Sequence, residues 1–188
     1  MQITLEHTPY VLDDVLSDSY RTACRVRFHE TTRRVRDRIE QPALDVGESN
    51  ALCRALNIHQ NTEWDLNAPW PTGCGGFATV TCFEVIEHVQ NPLLLMENIA
   101  QNMWPGGRLF LTTPIAWWIG KGEHHFHEFT RKDLVSVLEM AGFKIERLER
   151  MRAYTWDWKY TGVRPIIRLL RDRLLGQCWY VEAVERKP

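Results

Sequence analysis

Nothing in this sequence approaches the ~20 consecutive apolar residues that a membrane-spanning helix requires, so no membrane partner is expected. Neither sign of charge dominates: 23 Lys and Arg stand against 24 Asp and Glu, a formal net charge of −1. No global field therefore draws the chain to nucleic acid or an anionic membrane, although Arg is locally concentrated between Arg21 and Arg38. The cysteines Cys24, Cys53, Cys74, Cys82 and Cys178 are odd in number, scattered and without a CxxC pair. The opening MQITLEHTPYVL lacks a basic-then-apolar signal pattern, so reduced thiols in a cytoplasmic protein are expected. Internal repeats, heptad arrays and low-complexity tracts are also missing. With 188 residues and 44% hydrophobic content, one core without staples is expected, and a second catalytic domain has no room.

The stretch ATVTCFEVIEHV, Ala78 to Val89, carries the clearest functional signal. Ala78 to Phe83 are small, β-branched or aromatic, with no Pro, Gly or charge, as in a strand buried on both faces of a parallel sheet. The run ends in Glu84, Glu87 and His88, which share one face if the chain turns helical after Phe83. Oxygen and nitrogen donors would then converge at a strand's carboxyl end, where open α/β sheets place their ligands.

Upstream, Ser17 to Ile39 contains no Gly or Pro and spaces Tyr20, Cys24, Phe28, Val35 and Ile39 as the apolar side of a helix. Its other face carries Arg21, Arg25, Arg33, Arg36 and Asp37, read either as a solvated face or as a surface for an anionic substrate or RNA backbone. After Pro42, Ala43 to Gly47 reads as a short strand and turn, and Glu48 to Leu56 as a helix capped by Ser49 or Asn50. Strand, glycine turn and helix form the unit that brings backbone close to a nucleotide-like ligand. A short extended segment is expected near Thr62 to Leu66, before the loop PWPTGCGG. Asp65 lies eighteen positions past Gly47, near the ~20-residue interval at which an acid meets a ribose hydroxyl; an exposed loop aspartate is the competing reading.

Downstream, Asn91-Pro92 opens a helix with Leu94, Leu95, Ile99 and Met103 inward, which Pro105-Gly106-Gly107 breaks. Arg108 to Thr113 reads as a buried strand, followed by the loop IAWWIGKGEHHFHEF. Thr130 caps a helix ending at Gly142, and Phe143 to Arg150 resumes as a strand. A Trp/Tyr-rich loop (Tyr154, Trp156, Trp158, Tyr160), a basic helix around Pro165 to Leu175 and a final strand Cys178 to Val184 complete the chain. The alternation implies an α/β fold, a Rossmann-like doubly wound sheet, mostly parallel, with the last strand antiparallel. Residues 1–40 are expected as an N-terminal helical extension and 41–188 as the Rossmann domain.

In order and spacing, LDVG (Leu44 to Gly47), FATVTCFEVIEHV (Phe77 to Val89), Asn91-Pro92, WPGGRLFLTTP (Trp104 to Pro114) and HEFTRKDLVSVLEMAGFKI (His127 to Ile145) resemble class I S-adenosylmethionine-dependent methyltransferases. The resemblance implies S-adenosylmethionine as cofactor, with Asp45, Gly47 and Glu48 near its methionine part, Asp65 on the ribose and Phe83 lining the pocket. Two departures stand out. The usual further glycines are replaced by Glu48, Ser49, Asn50 and Ala51, and the stretch from Gly47 to Phe77 is too short for two complete βα units, so one is shortened or missing.

Within that superfamily, EVIEH followed by a His-rich segment is similar to ubiquinone-pathway O-methyltransferases and to enzymes that 2′-O-methylate small-RNA 3′ ends. The second likeness implies Glu84, Glu87, His88 and His125 as ligands of a divalent metal, Mg²⁺ or Mn²⁺, with His124 and His127 as alternates to His125. Without metal, His88 or His125 would be a general base, or Glu87 and His88 would serve structure alone. The favoured activity is O-methylation of a small hydroxylated or aromatic metabolite, with Trp117, Trp118 and the Tyr154 to Tyr160 cluster as candidate walls. RNA methylation using Arg164, Arg168, Arg171 and Arg173, and a degenerate fold that binds without transferring methyl, are the alternatives. Oligomeric state stays open.

Overall fold

The computed structural model describes residues 18–48, 50–62, 64–71, 76–116, 125–153 and 177–186. The helix expected between Ser17 and Ile39 is α1, Asp18–Val35, extended by a 3₁₀ turn Arg36–Arg38. Next come β1 (Ala43–Asp45), α2 (Ala51–Ala55), β2 (Gln60–Asn61) and β3 (Phe77–Phe83). After a 3₁₀ turn at Ile86–His88 follow α3 (Pro92–Gln101), β4 (Met103–Pro114), α4 (Arg131–Met140), β5 (Phe143–Met151) and β6 (Cys178–Glu185). Helix starts sit where the side-chain chemistry places them. Asn50 accepts from the backbone N–H of Leu52 and Cys53, Asn91 from Leu94 just before Pro92, and Thr130 from Asp133.

The strands form one sheet in the order β2-β1-β3-β4-β6-β5. Strands β2, β1, β3 and β4 run parallel, and β6 runs antiparallel to both β4 and β5, as the alternation and the final strand implied. Among the described residues, only the five-residue α2 and the two-residue β2 lie between β1 and β3, in keeping with a reduced βα unit. That second strand falls at Gln60–Asn61, ahead of the expected Thr62 to Leu66, because two polar residues carry no period-2 signal. Strand β4 begins at Met103, five residues before the expected Arg108. Rather than ending the extended backbone, Gly106 (φ +78°) and Gly107 carry it through an irregular register against β3. A Cβ on Gly107 would lie 3.0 Å from the Trp104 carbonyl oxygen and 3.1 Å from that of Phe77, so a side chain there would press on both backbone carbonyls.

Helices cover both faces. Leu109 and Leu111 point to the side of α3 and α4, among Leu95, Ile99, Leu134 and Leu138. Phe110 and Tyr180 point to the side of α1 and α2, among Val35, Leu52 and Leu56. Each such large side chain, once fully buried, stabilises the fold by about 1.5–3 kcal/mol. Helix α1 is tied to the far strands by charge: Arg34 Nε donates to Glu149 Oε1 at 2.9 Å, and Arg38 pairs with the buried Glu182. The Tyr180 hydroxyl donates to the same Glu182 carboxylate at 2.7 Å. Arg33, Arg36 and Asp37 are exposed. Several expectations fall outside the described residues: the opening residues before Asp18, Ser49, Cys74, Trp117, Trp118, His124, the Tyr154 to Tyr160 cluster and the basic helix of residues 165–175.

Candidate active site

Glu84 leaves β3 with φ +58°, a left-handed conformation that costs a side-chain-bearing residue on the order of 1–3 kcal/mol. Its N–H still donates to the Thr112 carbonyl at 2.9 Å, completing the ladder to β4 before the chain swings away. The helix considered after Phe83 is therefore a single 3₁₀ turn at Ile86–His88, and the two glutamates part company. Glu84 turns to the α1 side of the sheet. Its Oε2 accepts from Arg27 Nη1 at 2.9 Å and lies 4.0 Å from Cys178 Sγ, while its Oε1 is buried without a hydrogen-bond partner among the described residues.

Glu87 turns to the α3 and α4 side, where it is 1% exposed. Its Oε2 accepts from Thr113 Oγ1 at 3.0 Å, and its Oε1 is buried without a hydrogen-bond partner among the described residues. Burial, reinforced by the charge of Glu84, holds its carboxyl well above the usual carboxylate range, against the opposing hydrogen bonds of its own backbone and Thr113. Its carbonyl oxygen accepts the N–H of Phe126 at 2.9 Å and of His127 at 3.1 Å, which docks the second histidine segment onto the first. A parallel bridge between Ile115 and the buried Phe129 holds the other end of that segment.

This docking brings His125 beside His88, ring centroids 4.9 Å apart at 77°. His88 Nε2 lies 4.0 Å from Glu87 Oε1. His125 Nδ1 lies 3.5 Å from Glu128 Oε1, outside hydrogen-bond geometry. One donor atom from each of Glu87, His88 and His125 falls within 4.8 Å of the others. Glu84 is not among them, and His127 is drawn off to the Gln90 carbonyl at 3.2 Å and the Phe129 ring. A carboxylate oxygen and two imidazole nitrogens make a donor set that fits a divalent cation, and Glu87 carries a buried oxygen without a hydrogen-bond partner among the described residues.

The glycine turn adjoins this cluster. Gly47 has φ +112°, which glycine adopts freely, and a Cβ there would lie 3.3 Å from Val85 Cγ2. Its N–H donates to Thr62 Oγ1 at 2.8 Å and its carbonyl accepts from Asn61 Nδ2 at 3.4 Å, so the end of β2 braces the turn. Asp45 faces inward, accepting from Thr81 Oγ1 at 2.5 Å and Cys53 Sγ at 2.7 Å. Burial pushes its carboxyl up to about 6 despite those two donors. Glu48 is exposed, and Phe83 is half-buried against the α1-side core. Asp65 is exposed, and its Oδ1 accepts from the Asn67 backbone at 2.9 Å, an Asx turn beyond the end of β2. The strand-end position beside β1 is held by Asn61, in register with Asp45.

Sequence reasoning passed over Asn61, Thr62, Thr113 and Arg27. For Arg27 a signal existed: Arg27, Thr31, Arg34 and Arg38 recur at i, i+4, i+7 and i+11, the spacing of one helix face, and Thr31 is buried. For the others, only strand pairing brings them to the site.

A family described as Methyltransferase domain matches residues 23–148. A ubiquinone biosynthesis O-methyltransferase from Xanthomonas euvesicatoria pv. vesicatoria (strain 85-10) is 34% identical over 109 residues, 49% of this chain and 44% of that protein. The chain thus spans under half the length of that relative. Among solved structures, an S-adenosylmethionine dependent methyltransferase from Mesorhizobium loti superposes with TM-score 0.50 at 16% identity, covering 76% of this chain and 90% of that one. The [4+2]-cyclase SpnF superposes with TM-score 0.58 at 15% identity, covering 86% and 80%. A cyclase on this fold means that the fold alone does not dictate the reaction, so chemistry must be argued from the site.

Proposed function

Because the chain belongs to the methyltransferase domain family, we propose that it transfers a methyl group from S-adenosylmethionine to a hydroxyl oxygen of a small hydroxylated or aromatic metabolite. The observation that carries this is adjacency: Val85 touches the space above Gly47, and two residues later Glu87 opens the carboxylate and imidazole cluster. Methyl donor and acceptor hydroxyl would meet across that one side chain. The name of the Xanthomonas relative supports oxygen as the accepting atom.

The donor's methionine part would lie along the Gly47 turn, whose open backbone and bracing by Thr62 and Asn61 suit close approach. His88, half-exposed at the mouth of the cluster, is placed to take the acceptor's proton, and His125 stands edge-on behind it. As the oxygen–carbon bond forms, the sulfur–carbon bond breaks, S-adenosylhomocysteine leaves, and the proton remains on imidazole. Most of the barrier reduction would come from alignment of the two reactants. With no cation bound His88 acts as that base; alternatively, Glu87, His88 and His125 would hold a divalent cation such as Mg²⁺ or Mn²⁺, which when bound lowers the pKa of a nearby hydroxyl, and His88 is then a ligand and not the base. Glu87 Oε1, buried without a hydrogen-bond partner among the described residues, is the atom with most to gain from the cation.

Calorimetry with S-adenosylmethionine, followed by a metabolite screen with methyl-labelled cofactor, tests the proposal. Saturable binding and label transfer to a hydroxylated compound are expected. An absence of binding at millimolar cofactor would overturn it.

A further inference from the structure

We infer that Arg27 is a positioning residue for the cation site: it holds Glu84 against α1, withdraws that carboxylate from the cluster, and leaves Glu87, His88 and His125 as the ligand set. This rests on the reading of that cluster as a cation site. The withdrawal is built from both sides. The Arg27–Glu84 contact is 2.9 Å, with the two side chains only 14% and 13% exposed, a charge-assisted bond shielded from solvent. Arg27 shares its helix face with Arg34 and Arg38, whose pairs with Glu149 and Glu182 anchor α1 to β5 and β6, so the guanidinium approaches from a fixed support. On the strand side, the left-handed Glu84 backbone sends the carboxylate toward Cys178, on the face opposite to Thr113 and Glu87.

Glu84 nevertheless stays close enough to matter. It leaves the same β3 exit only three residues before Glu87, and its Oε1 is buried without a hydrogen-bond partner among the described residues, so a released Glu84 has an oxygen ready to ligate. Ligand chemistry then sets metal preference. One carboxylate with two imidazoles is nitrogen-rich and suits Mn²⁺ better than Mg²⁺, whereas a second carboxylate shifts the set toward the harder ion. Arg27 thereby acts on both the affinity and the selectivity of the site without touching the cation.

Titration of MnCl₂ and MgCl₂ into the full chain and four variants tests this, with a thermal melt of each to show that it folds. In Arg27→Met, Mn²⁺ binding should tighten about tenfold, the scale of outer-shell effects on metal sites, and Mg²⁺ binding should tighten more. Glu84→Gln alone should leave Mn²⁺ binding unchanged within about twofold, and Arg27→Met/Glu84→Gln should return to the parent value. His88→Ala should abolish Mn²⁺ binding. If Glu84→Gln weakens Mn²⁺ as much as His88→Ala does, Glu84 is already a ligand and the inference is overturned. Binding that needs His88 but ignores Arg27 overturns it while leaving the cation reading intact. No Mn²⁺ binding at millimolar concentration by the parent or Arg27→Met overturns both. Because Glu84→Gln leaves Arg27 in place, it remains decisive if Arg27→Met does not fold.

Discussion

On the face of the sheet covered by α1, the glutamates meet arginine: Glu84 with Arg27, Glu149 with Arg34, and Glu182 with Arg38 and the Tyr180 hydroxyl. On the face covered by α3 and α4, Glu87 meets a threonine hydroxyl and two imidazoles, with one carboxylate oxygen left unbonded. The same residue type thus has opposite tendencies on the two faces of one sheet. Burial pushes the Glu182 carboxyl up, but Arg38 and Tyr180 outweigh it and hold the carboxyl below its ordinary value; burial and Glu84 push Glu87 well above. Paired acids hold the fold together, whereas an unpaired one keeps a charge site open for a cation or a proton. Asp45 shows that the cation decides this and not the face. It lies on the α1 and α2 side but among the described residues has only Thr81 and Cys53 as side-chain donors, and its carboxyl rises to about 6.

The largest test of this division is on chemistry. His88→Ala is expected to lower methyl transfer about 10²–10⁴-fold with little change in cofactor affinity, measured by label transfer beside calorimetry. Undiminished turnover would move the chemical face elsewhere. Next comes Asp45. Its native carboxyl titrates above its unfolded value, so its stabilising contribution is complete below about pH 3.9 and is lost as pH rises through about 6. Asp45→Asn should therefore exceed the parent in unfolding free energy by up to about 3 kcal/mol above pH 7 and match it below pH 4. Urea melts across that range would expose a parallel pair of curves if the idea is wrong.

Glu182 has the opposite sign. Its folded value is depressed, so its contribution is present above about pH 4.3 and lost as pH falls through the folded value. Glu182→Gln should destabilise the fold at pH 7 by about 2 kcal/mol, since Arg38 and Tyr180 lose a charged acceptor; denaturant midpoints read this directly. The smallest effect belongs to the exposed Arg108–Glu146 pair at 2.8 Å. Glu146→Gln should shift stability by less than about 1 kcal/mol, and less still in high salt. A larger loss would mean that solvent exposure does not separate structural from ornamental pairs here.

Much of the scaffold was legible because local chemistry specified it. Ala78 to Phe83 read as a doubly buried strand since no charge, Pro or Gly interrupts them, and Asn91-Pro92 and Thr130 marked helix starts through their side-chain caps. Glu87, His88 and His125 could be nominated by residue type and resemblance, but not their separation from Glu84. That depends on the sign of one φ angle and on an arginine 57 residues away. Asn61 and Thr62 were overlooked because a two-residue polar strand has no periodicity of its own.

By itself, then, the sequence determined the layer order, the buried central strand, the glycine turn and the two segments rich in acid and imidazole, because periodicity, capping and residue chemistry act over a few neighbours. Only the tertiary structure decided which carboxylate faces the arginines and which faces the histidines. That choice is made by contacts between α1, β3 and the segment at His125, distant in the chain, where burial and charge outweigh any local preference.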